Sequence, residues 1–303
     1  MFKRFFLFAL VNLAIIVMVS IILNVLGIRP YLTAYGINYS SLMAFCLVWG
    51  MVGSFISLLL SKQMAIWMMG VEIIDPRSVG HYQNLVLRVH NLARSAGLSK
   101  MPDVGIYPGM ELNAFATGPS RNNSLVAVSQ GLLNRMNDEE IDGVLGHEIG
   151  HIANGDMVTM TLIQGVVNAF VMFFARIAAF AVGQILRGDD DERGGVGMSG
   201  FAYMITVFLF EIIFGILGSM VTAWFSRIRE FRADVDGARY AGRGNMIKAL
   251  ERLNRETLEI SDNRGAALQA LKISGQRSKF LQLLSTHPPL EVRIDALRKM
   301  RTA

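Results

Sequence analysis

Four apolar stretches, at residues 5–27, 42–60, 158–186 and 201–225, limit this chain more than any other feature. A run of about 20 apolar residues spans the ~30 Å of hydrocarbon in a bilayer. The first two stretches are nearly uninterrupted. The other two carry polar residues, so a buried helical hairpin of a catalytic domain stands as the alternative to a transmembrane one. With 52% hydrophobic residues in 303 and a positive mean hydropathy, the chain is too apolar for an ordinary soluble enzyme. It is long enough for several spans and one catalytic domain.

Basic residues set the expected orientation. Lys3, Arg4, Lys62, Arg77 and the cluster Arg227, Arg229 and Arg232 flank the spans on one side, whereas the other side has Arg29 and the net-acidic loop "RGDDDERGGVGMSG" at 187–200. The N-terminus, the 61–157 segment and the C-terminal region are therefore expected in the cytoplasm. The first stretch is too long for a signal peptide and is not followed by a small-x-small cleavage site, which predicts an uncleaved anchor. The net charge of +5 fits this topology and contact with lipid headgroups, and no nucleic-acid motif is present. The single cysteine, Cys46, lies in the second stretch, which excludes a disulfide framework and a thiolate zinc site. Arg176 and Glu211 lie about eleven residues before and after the acidic loop. In an antiparallel hairpin both would sit roughly 16 Å deep, where an ion pair offsets much of each charge's desolvation.

Chemistry enters at "HEIGH", residues 147–151. His147 and His151 are four apart, so on a helix both imidazoles project from one face and reach one ion. In this H-E-x-x-H order, Glu148 is not a ligand but stands close enough to take a proton from water at the metal. Asn137 with Glu140 reads as an N-cap and capping box, and Ile141, Val144 and Leu145 form an apolar stripe, so the histidines fall on a predicted helix. A catalytic zinc usually has a third protein ligand. The stretch "SRIREFRADVDGARYAGR", 226–243, offers Glu230 and, one turn later, Asp234, which could accept the free N–H of a ligating histidine. The alternative is an exposed helix whose acids pair with Arg227, Arg229 and Arg232.

The "HEIGH" motif, "EFRAD" at 230–234, "NAFATG" at 113–118 and "THPPLEVRI" at 286–294 together resemble, in order, the HtpX family of membrane-bound zinc metalloproteases, relatives of the CAAX prenyl proteases. The resemblance implies an α+β membrane protein: a mostly helical, gluzincin-like core with a small β-sheet and about four transmembrane helices. It further implies one Zn2+ per chain, with Glu230 as third ligand and Asp234 behind it. His287 and Arg293 are then substrate or transition-state contacts. The family activity is quality control of membrane proteins in the bacterial inner membrane, alongside other quality-control proteases.

The expected organisation is two spans in 1–60, the first part of the catalytic domain in 61–157, a hairpin in 158–225 and the rest of the catalytic domain in 226–303. Asp75 and Pro76 predict a helix start, followed by apolar residues at helical spacing from Tyr82 to Ala96 and a stop at Gly97. Strands are predicted at "DVGIYP" (103–108), "NAFAT" (113–117) and "SLVAVS" (124–129), with turns at "GMEL" and "GPSRNN". An extended substrate would pair with the strand formed by Asn113, Ala114, Phe115 and Ala116. The expected reaction is peptide hydrolysis by water that zinc acidifies, with Glu148 as base and His287 or Arg293 holding the oxyanion. Substrates are then misfolded or unfolded membrane polypeptides. Two other readings fit the same residues: a specific processing protease of the CAAX type, and a non-proteolytic membrane scaffold with a vestigial zinc site.

Overall fold

The structure is a computed structural model that describes residues 36–77, 82–187, 200–263 and 283–300, with Ile21, Val25, Leu32, Thr33 and Gly80. Most of the first expected span and the acidic loop lie outside the described residues. A two-stranded ribbon, β1 (Leu32–Thr33) and β2 (Gly36–Ile37), leads into the long helix α1 (Tyr39–Met69). There follow β3 (Glu72–Ile73), α2 (Gln83–Ser95), β4 (Asp103–Tyr107), β5 (Ala114–Ser120), β6 (Asn123–Ser129), α3 (Gln130–Arg135) and α4 (Asp138–Asn154). The chain continues in α5 (Asp156–Arg187), α6 (Gly200–Tyr240), α7 (Arg243–Asn263) and α8 (Leu290–Lys299). It divides into two compact units, Met1–Ser57 with Thr161–Thr222 and Leu58–Met160 with Ala223–Ala303.

Among the described residues, three helices are long and apolar enough to cross a membrane: α1, α5 and α6. In the first unit Phe170, Phe174, Phe208, Leu209, Ile212 and Ile213 are exposed, an apolar surface that suits lipid and not water. Helices α1 and α5 meet through glycine. A Cβ on Gly50 would come 2.6 Å from the carbonyl oxygen of Gly165, so the backbones approach as closely as small residues allow. Leu42, Cys46 and Ala169 are fully buried together beside this contact.

The ion pair expected from depth is present. Arg176 Nη1 lies 2.9 Å from Glu211 Oε1, and the guanidinium also stands 5.6 Å from the centroid of the Phe45 ring. Arg176→Met or Glu211→Gln alone is expected to cost about 1–3 kcal/mol, below the ~3–5 for a fully buried pair because Glu211's side chain is 33% exposed. The double change should cost less than the sum of the two, read from unfolding in mixed micelles. Additive losses would show that the pair does not couple.

The second unit is built on a four-stranded sheet in the order β3-β4-β6-β5, with β4 and β6 parallel and the other pairs antiparallel. β6 sits inside the sheet and is buried on both faces, which explains its continuous apolar run. β5 is an edge strand. Helix α2 turns Leu85, Val86, Val89 and Leu92 onto α4, where Ile141, Val144, Leu145, Ile149 and Ile152 complete one core.

Two expectations need correction. The helix predicted from Pro76 begins only at Gln83, because the Asp75 side chain accepts from the N–H of Arg77 at 2.9 Å and closes a local turn instead. The segment "GPSRNN" is not all turn, since β5 runs on to Ser120 through an irregularity between Thr117 and Ser120. Gly118 permits this with φ +141, and Pro119 is tolerated because an edge strand need not donate on both sides.

Candidate metal centre and active site

Helix α4 carries the H-E-x-x-H segment on a well-capped frame. The Asn137 side chain accepts from the N–H of Glu140, the Glu140 carboxylate accepts from the N–H of Asn137, and Gly155 ends the helix in the left-handed region at φ 69. The third candidate ligand arrives through glycine. A Cβ on Gly237 would lie 2.9 Å from the backbone nitrogen of His147, and one on Gly143 would lie 2.4 Å from the carbonyl oxygen of Asn245. Helices α6 and α7 thus press backbone to backbone on α4, which carries Glu230, seven residues before Gly237, to the histidines.

There the donor atoms converge. His147 Nε2 and His151 Nε2 are 3.1 Å apart, and Glu230 places Oε2 3.4 Å from the first and Oε1 3.4 Å from the second. One atom from each residue lies within 4.8 Å of the others. The far ring nitrogens are held by carboxylates. His147 Nδ1 is 2.9 Å from Asp234 Oδ1, and His151 Nδ1 is 2.6 Å from Asp156 Oδ2. This leaves both Nε2 atoms facing one point.

Glu230 is 1% exposed, yet neither of its oxygens accepts a well-directed hydrogen bond. Burying such a carboxylate is costly, and a divalent cation between it and the imidazoles would satisfy it. Two imidazoles and one carboxylate, with room beside them, fit the donor set of a catalytic zinc. Burial alone would raise the Glu230 carboxyl, but His147, His151 and His287 outweigh it and hold its pKa far below the carboxylate range. Burial alone would lower His151, but Asp156 and Glu230 push its pKa up to about 9. A metal binding here displaces the proton from His151, while Glu230 is already ionised.

A cavity of ≈ 200 Å³ adjoins the cluster, lined by His147, Glu148, Glu230 and Arg293, by Asn113, which the structure places just before β5, and by Ala114, the strand's first residue. Phe115 and Ala116 continue that strand along the sheet edge. His287 is 63% exposed at the side chain, with Nδ1 2.9 Å from Glu230 Oε2. Arg293, expected as a substrate or transition-state contact, lines the cavity, is 6% exposed and grips Asp234 with Nε at 2.7 Å and Nη2 at 2.5 Å. Only its Nη1 reaches toward Glu230, at 3.4 Å.

The family model of peptidase family M48 matches residues 82–301. The chain is 52% identical over 298 residues to Protease HtpX of Chromohalobacter salexigens, covering 98% of each protein. The chain belongs to peptidase family M48, among the HtpX proteases. It is also 48% identical to the Protease HtpX homolog of Bacillus subtilis over 305 residues, 98% of this chain and 99% of that one. Its fold matches the crystal structure of S. mikatae Ste24p at TM-score 0.62 and 18% identity, over 97% of this chain and 64% of that protein's length. The chain is a membrane metalloprotease of this family, with a His-His-Glu group at its centre.

Asp156 was not legible in the sequence as a site residue. Its signal is an acid immediately after a glycine helix stop, five residues beyond a candidate ligand histidine. Asp156→Ala is expected to weaken metal affinity about 10–100-fold, read by competition with a chelator. Unchanged affinity would reduce Asp156 to a start residue of α5.

Proposed function

We propose that this chain is a zinc-dependent endopeptidase of the bacterial inner membrane that cleaves misfolded or damaged membrane proteins at the cytoplasmic face. The observation that carries this reading is the sharing of one cavity by Glu148, by His147 and Glu230 of the three-residue donor group, and by Asn113–Ala114 where the edge strand begins. An extended polypeptide pairs with the edge of β5 that no other strand covers among the described residues, along Asn113 to Ala116, through main-chain hydrogen bonds, which orders the scissile bond without selecting side chains. That tolerance suits a degradative enzyme.

The chemistry supplied at this site by a bound zinc ion is Lewis acidity, polarising the scissile carbonyl and acidifying water. His147, His151 and Glu230 would hold the ion. Glu148 takes the proton of the attacking water and delivers it to the leaving amine. His287, held after Thr286 and before Pro288 and Pro289, donates to the developing oxyanion from the exposed side. Arg293 fixes Asp234, and Asp234 and Asp156 fix the histidine rings. Basic residues flanking the apolar helices support the cytoplasmic placement.

The test incubates the detergent-purified protein with zinc and an unfolded membrane protein. Cleavage that stops with a chelator and returns with zinc is the expected result. Full zinc occupancy without cleavage would instead favour the scaffold reading.

A further inference from the structure

The first unit holds a second cavity, of ≈ 420 Å³, whose lining is unexpectedly polar for a membrane helix bundle. From α1 it receives Ser54 and Ser57, three residues apart. From α5 it receives Thr161, Gln164 and Asn168, at i, i+3 and i+7. Glu211 of α6 also lines it, and its charge is already met by Arg176. The missing side chains of Gly50 and Gly53 leave the room. Ser54 and Asn168 lie near the middle of their apolar helices, where lipid supplies no hydrogen bond and an unanswered polar group is expensive.

The two serine hydroxyls that α1 gives the cavity are not consumed by their own helix. Ser61, Thr206 and Ser219 return their hydroxyls to helix carbonyls at 2.7, 2.8 and 2.6 Å. Ser54, 9% exposed, and Ser57 make no side-chain hydrogen bond among the described residues. Gln164 donates to Asn168 Oδ1 at 2.7 Å, which leaves the Gln164 oxygen as acceptor and the Asn168 amide as donor. Ser57 and Gln164 are exposed, so the cavity is reached from outside the unit. Its volume lies in the range of about 300–1,000 Å³ typical of ligand sites and exceeds that of a few waters at about 30 Å³ each.

We propose that this cavity binds an uncharged polar side chain carried by a transmembrane segment of the substrate. A lone Asn, Gln, Ser or Thr in such a segment is normally buried against a neighbouring helix, and becomes available when the bundle fails to assemble. The serine and amide stripes of α1 and α5 give that residue the partners its own protein has failed to provide. The paired Glu211 offers no net charge, which selects an uncharged group over an ion. The lining holds no basic side chain to meet a phosphate, and the cavity reaches inward from Ser57 and Thr161 to Ser54 and Asn168, which favours a polypeptide segment over a lipid headgroup. The inference rests on the proteolytic reading above and adds the feature by which a damaged membrane protein is told from an intact one.

Two reporters test it in proteoliposomes, sharing one unfolded cytoplasmic tail and differing only in a single span: all leucine, or leucine with one central Asn. The ratio of kcat/KM, Asn over Leu, is expected to be about three- to thirtyfold and to fall toward one in Gln164→Leu/Asn168→Leu. Equal cleavage of both reporters by the unaltered protein overturns the cavity proposal and leaves the proteolytic reading standing, and is also the result if the cavity holds water alone. Cleavage of neither defeats the proteolytic reading. Binding is read separately in a Glu148→Gln, Cys46→Ala, Ser57→Cys protein carrying a photo-crosslinker on the new thiol. A several-fold higher cross-link yield to the Asn span supports the proposal even if the double variant fails to fold, and equal yields overturn it.

Discussion

Glu148→Gln is expected to leave the metal bound and to lower peptide cleavage by about 10²–10⁴-fold. Glu148 is 9% exposed and lines the ≈ 200 Å³ cavity beside His147 and Glu230, but it is not one of the three residues whose donor atoms converge. The amide keeps its size and its place on α4 while losing the ability to take a proton. Metal content by elemental analysis and kcat/KM on an unfolded substrate, with contaminating proteases excluded, give the two readouts. Retained turnover would remove Glu148 from the reaction.

Glu230→Ala should behave in the opposite way, losing metal first and activity as a result. Its carboxylate is the only oxygen donor in the group and faces both imidazole Nε2 atoms at 3.4 Å. Without it two nitrogens remain, one donor short of a catalytic zinc site, and occupancy should fall well below that of the unaltered protein. Arg293 Nη1 also loses a partner at 3.4 Å, so stability is measured in parallel. Glu230→Gln preserves shape and separates the two effects. Equal and full zinc occupancy in both variants would place the third ligand elsewhere.

Local patterns were the legible part of this chain. The capping box at Asn137 and Glu140, the four-residue spacing of the histidines and the β6 run depend on neighbours within a few positions, and the structure has each of them. The Arg176 to Glu211 pair was readable because a helical hairpin converts sequence distance into depth. What escaped depends on packing across the chain. The Asp75 turn competes with a helix start that composition alone favours, and Arg293 is drawn onto Asp234, a residue 59 positions away. The polar residues of 158–186 weaken that stretch as a span in the sequence. In the structure, Thr161, Gln164 and Asn168 share a face that meets serines of α1, a relation no single helix displays.

The most direct measurement strips the detergent-solubilised protein with a chelator, returns zinc in known fractions of one equivalent, and follows cleavage of an unfolded membrane protein. Activity should rise in proportion to bound zinc and saturate at one per chain, while Glu148→Gln binds the same equivalent and stays inactive. Full cleavage by the metal-free protein would contradict the account.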